Sequence, residues 1–170
     1  MRFFLTVVHL IVSGAVLFIL FPLLALSLDK RFALPSFSFI SLKITGGALA
    51  LLGTVLAFVA SYLLGVKGKG TPNPIKKTRL LVREGIYRYM RNPMLAGAIL
   101  ISLGSSLFLG STSLLAITGG IVISAFLYLH FYEERELEHR FGEEYLIYKR
   151  EVPRFIPKFS GWLKNKGRKR

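Results

Sequence analysis

Three long stretches of this chain contain no Asp, Glu, Lys or Arg: Phe3 to Leu28, Ile44 to Val66 and Met94 to Tyr132. Crossing the hydrocarbon of a bilayer takes roughly 20 apolar residues in a helix, because a segment inside lipid must satisfy its own backbone hydrogen bonds. The first two stretches therefore each predict one transmembrane helix. The third is too long for a single span, and its Gly110-Ser111-Thr112-Ser113 break divides it into a helical hairpin. The expected fold is all-α, a polytopic membrane protein of about four transmembrane helices, two plus the hairpin. A hydrophobic content of 52% with only 19% charged residues agrees with this and departs from an ordinary soluble globule.

The first stretch is read as a retained span. Its apolar core exceeds the roughly 7–15 residues of a signal peptide, and no small-x-small cleavage site follows. The absence of Cys excludes disulfides, thiolate nucleophiles, iron–sulfur clusters and Cys-type zinc sites. No pair of histidines stands three or four residues apart, so no metal is expected.

The net charge of +14 is unevenly placed: Lys67 to Arg91 holds eight Lys or Arg against Glu84, whereas Asp29 to Pro35 holds Lys30 and Arg31 against Asp29. Basic loops stay in the cytoplasm, so both termini and the 67–91 loop are expected on the cytoplasmic side. The tail Lys164 to Arg170 predicts contact with anionic lipid headgroups, and no nucleic-acid partner is expected.

Small residues recur on one face of span two, at Gly46, Ala50, Gly53, Ala57 and Ser61. Span three repeats the habit at Gly97 and Gly104 and at Ala98, Ser102 and Ser105, and span four at Gly120 and Ser124. Such spacing lets helix backbones approach closely and predicts a compact bundle with a narrow polar interior. The Gly-Lys-Gly at 68–70 lies in no strand-turn-helix unit, which excludes a soluble dinucleotide fold. After span four, Leu137, Phe141 and Tyr145 form an i+4 stripe. With Tyr148, Val152, Phe155 and Ile156 they predict an interfacial cap over the bundle mouth, and Pro153 and Pro157 prevent a long final helix.

The chemistry concentrates where spans three and four meet the basic face. In Gly85-Ile86-Tyr87-Arg88-Tyr89-Met90-Arg91-Asn92-Pro93, Asn92 is placed to cap and Pro93 to occupy the first helical position. A helix N-terminus beside Arg88 and Arg91 favours a carboxylate or phosphate. Glu133 and Glu134 lie at the end of span four, where a helix C-terminus already carries partial negative charge. They call for a cationic partner: Arg135, the Arg88 to Arg91 region, or a bound cation. Adjacent residues point about 100° apart on a helix, so at most one of the two faces a site squarely.

Taken together, Gly70-Thr71-Pro72, the Gly85 to Met94 run with Gly97, Glu133-Glu134, Phe141-Gly142, Tyr145, Tyr148 and Val152 to Pro157 resemble the isoprenylcysteine carboxyl methyltransferase family and the related phospholipid N-methyltransferases. The common Arg-His-Pro-x-Tyr-x-Gly pattern of that family reads here with Asn92 for His and Leu95 for Tyr, which removes a group titrating near neutrality and a phenol.

The chain is thus expected to divide into residues 1–66, two N-terminal spans, and 158–170, a basic tail, around 67–157, which the resemblance makes a methyltransferase-like region with hairpin and cap. The resemblance implies S-adenosylmethionine as cofactor and a lipophilic acceptor, the carboxylate of a prenylcysteine-like molecule or another lipid, entering between helices near Phe108 and Phe126. Cofactor-binding residues would be Gly85, Tyr87, Arg91, Asn92, Pro93, Gly97, Tyr128, Tyr132, Glu133 and Glu134, with Arg91, Asn92 and Glu134 as the catalytic set. The arginine and helix amides suit a methionyl carboxylate, the glutamates an ammonium or ribose hydroxyls, and the tyrosines an adenine or sulfonium. Two other readings compete: an NADPH-dependent membrane reductase of the sterol type, and a non-catalytic membrane subunit.

Overall fold

The computed structural model describes residues 8, 12, 16–68, 78 and 80–157. Part of the first uncharged stretch (3–7, 9–11 and 13–15, His9 included), the Gly70-Thr71-Pro72 part of the family pattern and the basic tail lie outside them. The described residues are helical, with no strand among them.

A π-helical segment, Val16–Leu20, leads into α1 (Phe21–Arg31), and α2 runs over Ile40–Lys67. A 3-10 turn at Gly85–Arg88 precedes α3 (Pro93–Leu109). α4 (Thr112–Tyr128) continues through a π-helical segment, Leu129–Glu133, into α5 (Glu134–Phe141), and α6 follows (Glu143–Glu151). Two helical rods are long and apolar enough to cross a membrane, Ile40–Lys67 and Thr112–Phe141; α3 is equally apolar but has 17 residues.

The break within the third uncharged stretch is where the sequence puts it. α3 ends on Gly110, whose φ of 65° is costly for a residue with a Cβ. Ser111 caps α4 by accepting from the Leu114 amide at 3.1 Å. Asp29, at the end of α1, accepts from the Ser111 hydroxyl and from the Ser113 amide. The Phe37 amide donates to the Gly110 carbonyl at 3.2 Å, and the Thr112 hydroxyl to the Pro35 carbonyl. The α1–α2 link is thereby clipped to the tip of the hairpin. Ser111→Ala removes both a cap and a partner of Asp29, and is expected to lower stability by about 1–2 kcal/mol in thermal unfolding.

α2 and α3 pack most closely, through the small residues the sequence singles out. A Cβ on Gly104 would lie 2.5 Å from the Ala50 amide nitrogen, and one on Gly46 2.6 Å from the Gly104 carbonyl oxygen. Between α3 and α4 the contact is polar: Ser102 and Thr118 share a hydrogen bond of 2.6 Å, and Ser106 lies 3.2 Å from Thr118. All three are buried, which satisfies the expectation of a narrow polar interior.

Three local expectations need correction. Asn92 makes no side-chain cap; its carbonyl accepts from the Ala96 amide at 3.0 Å, and its own amide is used elsewhere. Gly120 is not a packing residue, since a Cβ there would meet nothing within 4 Å. The stripe Leu137, Phe141, Tyr145 does not lie on one helix, because Gly142, at φ 52° and ψ −132°, breaks the chain between α5 and α6. The three still meet, around a buried core of Tyr145, Tyr148 and Val152 with Leu81.

Candidate functional site

The 3-10 turn delivers Tyr87 into a core with Ala60 and Val82, against which Met94 packs. Tyr87 donates to the Ala60 carbonyl at 3.5 Å, and its own carbonyl accepts from the Tyr148 hydroxyl at 2.6 Å. Burial pushes both phenols well above the usual tyrosine range, so each is a neutral donor. The chain between this turn and α3 is consequently held on two sides, by α2 and by α6.

Glu134 is the centre of the charge network. Its side chain is 4% exposed and receives three cations. Arg154 grips it with a fork, Nε to Oε1 at 2.6 Å and Nη2 to Oε2 at 2.8 Å. Arg91 Nη1 donates to Oε1 at 2.9 Å, and Lys149 Nζ lies 2.9 Å from Oε2. Arg91 Nη1 also reaches the Tyr145 hydroxyl at 3.2 Å. Hydrogen bonds to Glu138 and then to Glu134 hold the Lys149 pKa above its ordinary value, so it stays charged across the neutral range. Three charge-assisted partners on one buried carboxylate make a fixed structural node.

Beside this node opens a cavity of about 1100 Å³, slightly above the roughly 300–1,000 Å³ typical of ligand pockets. Its polar end is lined by Arg91, Asn92, Glu133, Glu136 and Arg140, with Tyr87, Tyr128, Tyr145 and Tyr148. Its apolar wall runs along α4 through Ala125, Ile121, Gly120 and Ile117, with Leu64 of α2 and Met94 and Leu95 of α3. Arg140 pairs with Glu136 at 3.0 Å and donates to the Thr78 carbonyl. Arg91 Nε is buried with no hydrogen-bond partner among the described residues. The α3 ladder begins with Ala96 donating to Asn92, which leaves the Met94 and Leu95 amides without an intrahelical acceptor.

Of the residues expected at the site, Tyr87, Arg91, Asn92, Tyr128 and Glu133 line this cavity. Glu134 lies behind it in the charge node. The paired glutamates thus divide as the 100° argument requires, one toward the cavity and one into the network. Tyr132 is 70% exposed and stacks on Tyr128 with ring centroids 6.1 Å apart. Gly85 adopts φ 58° against Leu63 and shapes the turn. Pro93 starts α3, and Gly97 sits in the α2–α3 contact 2.7 Å from the Gly53 carbonyl oxygen, measured from where its Cβ would be. Phe108 and Phe126 are half exposed and outside the cavity lining. Arg88 and Arg135 are exposed.

Sequence reasoning named no role for Arg154, Lys149, Glu136 or Arg140. The first two supply most of the charge that Glu134 needs. The available signal was the electrostatic demand of two glutamates at a helix C-terminus, which asks for cations without saying where in the chain they stand.

Among the described residues the fold is helical, with two membrane-length helices and a cavity that is charged at one end and apolar along its length, which defines the class: a helical protein of membrane-spanning proportions. The chain belongs to the phospholipid methyltransferase family, whose model matches residues 42–144. It is similar to the human protein-S-isoprenylcysteine O-methyltransferase, 30% identical over 122 residues, covering 71% of this chain and 43% of the relative. Similarity extends to the B form from Arabidopsis thaliana, 35% identical over 78 residues (45% and 39% covered). A relative from Schizosaccharomyces pombe is 33% identical over 81 residues (48% and 34%). The chain spans less than half the length of these curated relatives.

Proposed function

We propose that this protein is an S-adenosylmethionine-dependent methyltransferase acting on a lipophilic acceptor, the carboxylate of a prenylcysteine-like molecule or another lipid, within the membrane. The observation that carries the reading is the unpartnered, buried Nε of Arg91 on a residue lining a cavity with one polar and one apolar end. The relatives' names, each a prenylcysteine methyltransferase, point the same way.

The residues present fit such a donor. Arg91 Nε and the Met94 and Leu95 amides would take its carboxylate. Glu133, with the ring faces of Tyr87 and Tyr128, would face its cationic and ribose portions, and Tyr132 would back Tyr128. Asn92 would line the site, Glu134 would hold Arg91, and Gly85, Pro93 and Gly97 would set the backbone around it. When bound, the donor supplies an electrophilic methyl group for direct displacement. The protein's own work is then alignment and exclusion of water, with no protein nucleophile. The wall from Ala125 to Ile117 would receive the acceptor's hydrocarbon.

In this reading the chain makes four spans with both termini cytoplasmic. The α5–α6 region caps the mouth, and the basic tail meets anionic headgroups.

Calorimetric titration of detergent-purified protein with S-adenosylmethionine and S-adenosylhomocysteine tests the proposal. Binding by the parent and its loss in Arg91→Ala is expected. A folded parent that binds neither would sink the reading and turn attention to reduced nicotinamide or to a non-catalytic role.

A further inference from the structure

The segment 152–154 lies beyond the residues matched by the family model, yet it pairs with the backbone of both Arg91 and Asn92. The Arg91 amide donates to the Pro153 carbonyl at 2.9 Å, and the Asn92 amide to the Arg154 carbonyl at 3.1 Å. The Arg154 side chain meanwhile forks Glu134, the carboxylate that takes Arg91 Nη1. One short strap therefore fixes both the backbone and the guanidinium of Arg91.

We infer that Arg154 is a positioning residue for donor binding, acting through Glu134 on Arg91; this rests on the proposed role of Arg91 as the donor's carboxylate ligand. A carboxylate and a guanidinium left to themselves pair through two parallel hydrogen bonds. Arg154 already occupies both oxygens of Glu134, so Arg91 is limited to a single bond through Nη1 and its Nε stays available. Lys149 does not substitute for this, because its ammonium is a point charge reaching one oxygen of Glu134 from a side chain 36% exposed. Without the Arg154 fork, Glu134 is free to turn and draw Arg91 into a two-bond pair, occupying Nε and shifting the guanidinium from its place beside the cavity.

The test compares parent, Arg154→Lys and Arg154→Ala as full-length proteins in detergent. Each is titrated with S-adenosylmethionine and S-adenosylhomocysteine and followed by thermal unfolding. Arg154→Lys keeps the charge and loses the fork, so it is expected to unfold near the parent's temperature while binding both ligands about tenfold more weakly. Arg154→Ala should bind at least as poorly and unfold earlier. A parent that binds while Arg154→Lys binds equally tightly overturns the role and leaves the donor reading intact. Affinity that falls only in step with unfolding temperature across both variants also overturns it, as that is what a purely structural residue would do. A parent that binds neither ligand overturns the donor reading and this role with it.

Discussion

Glu134→Ala is expected to be more damaging than removal of any one of its partners, lowering stability by about 3–5 kcal/mol, the usual cost of leaving buried charge uncompensated. Three cations converge on that carboxylate, and the Arg91 side chain is only 8% exposed. Thermal unfolding in detergent would register the loss. The double variant Glu134→Ala/Arg154→Ala should recover part of it, since one of the stranded charges then leaves as well. An unchanged unfolding midpoint in the single variant would mean that the node is not formed in the folded protein.

Gly97→Ala should be the second large effect, though it adds only a methyl group. The new Cβ would lie 2.7 Å from the Gly53 carbonyl oxygen and 2.8 Å from the Ala57 amide nitrogen. These are backbone atoms of a long helix and cannot swing aside. α2 and α3 must separate, at a cost of about 1–3 kcal/mol. Gly120→Ala is the internal control: with nothing within 4 Å of its Cβ, it should leave the unfolding midpoint where it was. Equal midpoints for both variants would contradict the close α2–α3 packing.

These two glycines show what a sequence discloses. Spacing of small residues marks a face on which backbones can touch, and it correctly marked Gly46, Gly53 and Gly104. It cannot tell a glycine that admits a helix from one that leaves room for a cavity, which is the difference between Gly97 and Gly120. The hairpin break at Gly110 was legible because a flexible residue and a cap interrupt an otherwise uncharged run. The site was legible as far as charge and helix ends go, hence Arg91 and the two glutamates. Arg154 was hidden because its partner is 20 residues away across the turn at Gly142. Local pattern does not encode a contact made by the chain doubling back. Asn92 went astray in a related way, since its amide pairs with that same returning strap instead of its side chain closing the helix.

The π-helical segment Leu129–Glu133 ends on the first of the divided glutamates. A π-turn takes up more residues than an α-turn, so it resets the angular phase of everything after it. At the end of this phase shift Glu133 meets the cavity, and Glu134, the next residue, meets Arg91. One residue more or fewer would swing the pair by about 100° and exchange anchor for open space. The length of that turn thus acts as a molecular dial, and it constrains the chain more tightly than the identity of the exposed rings mounted on it.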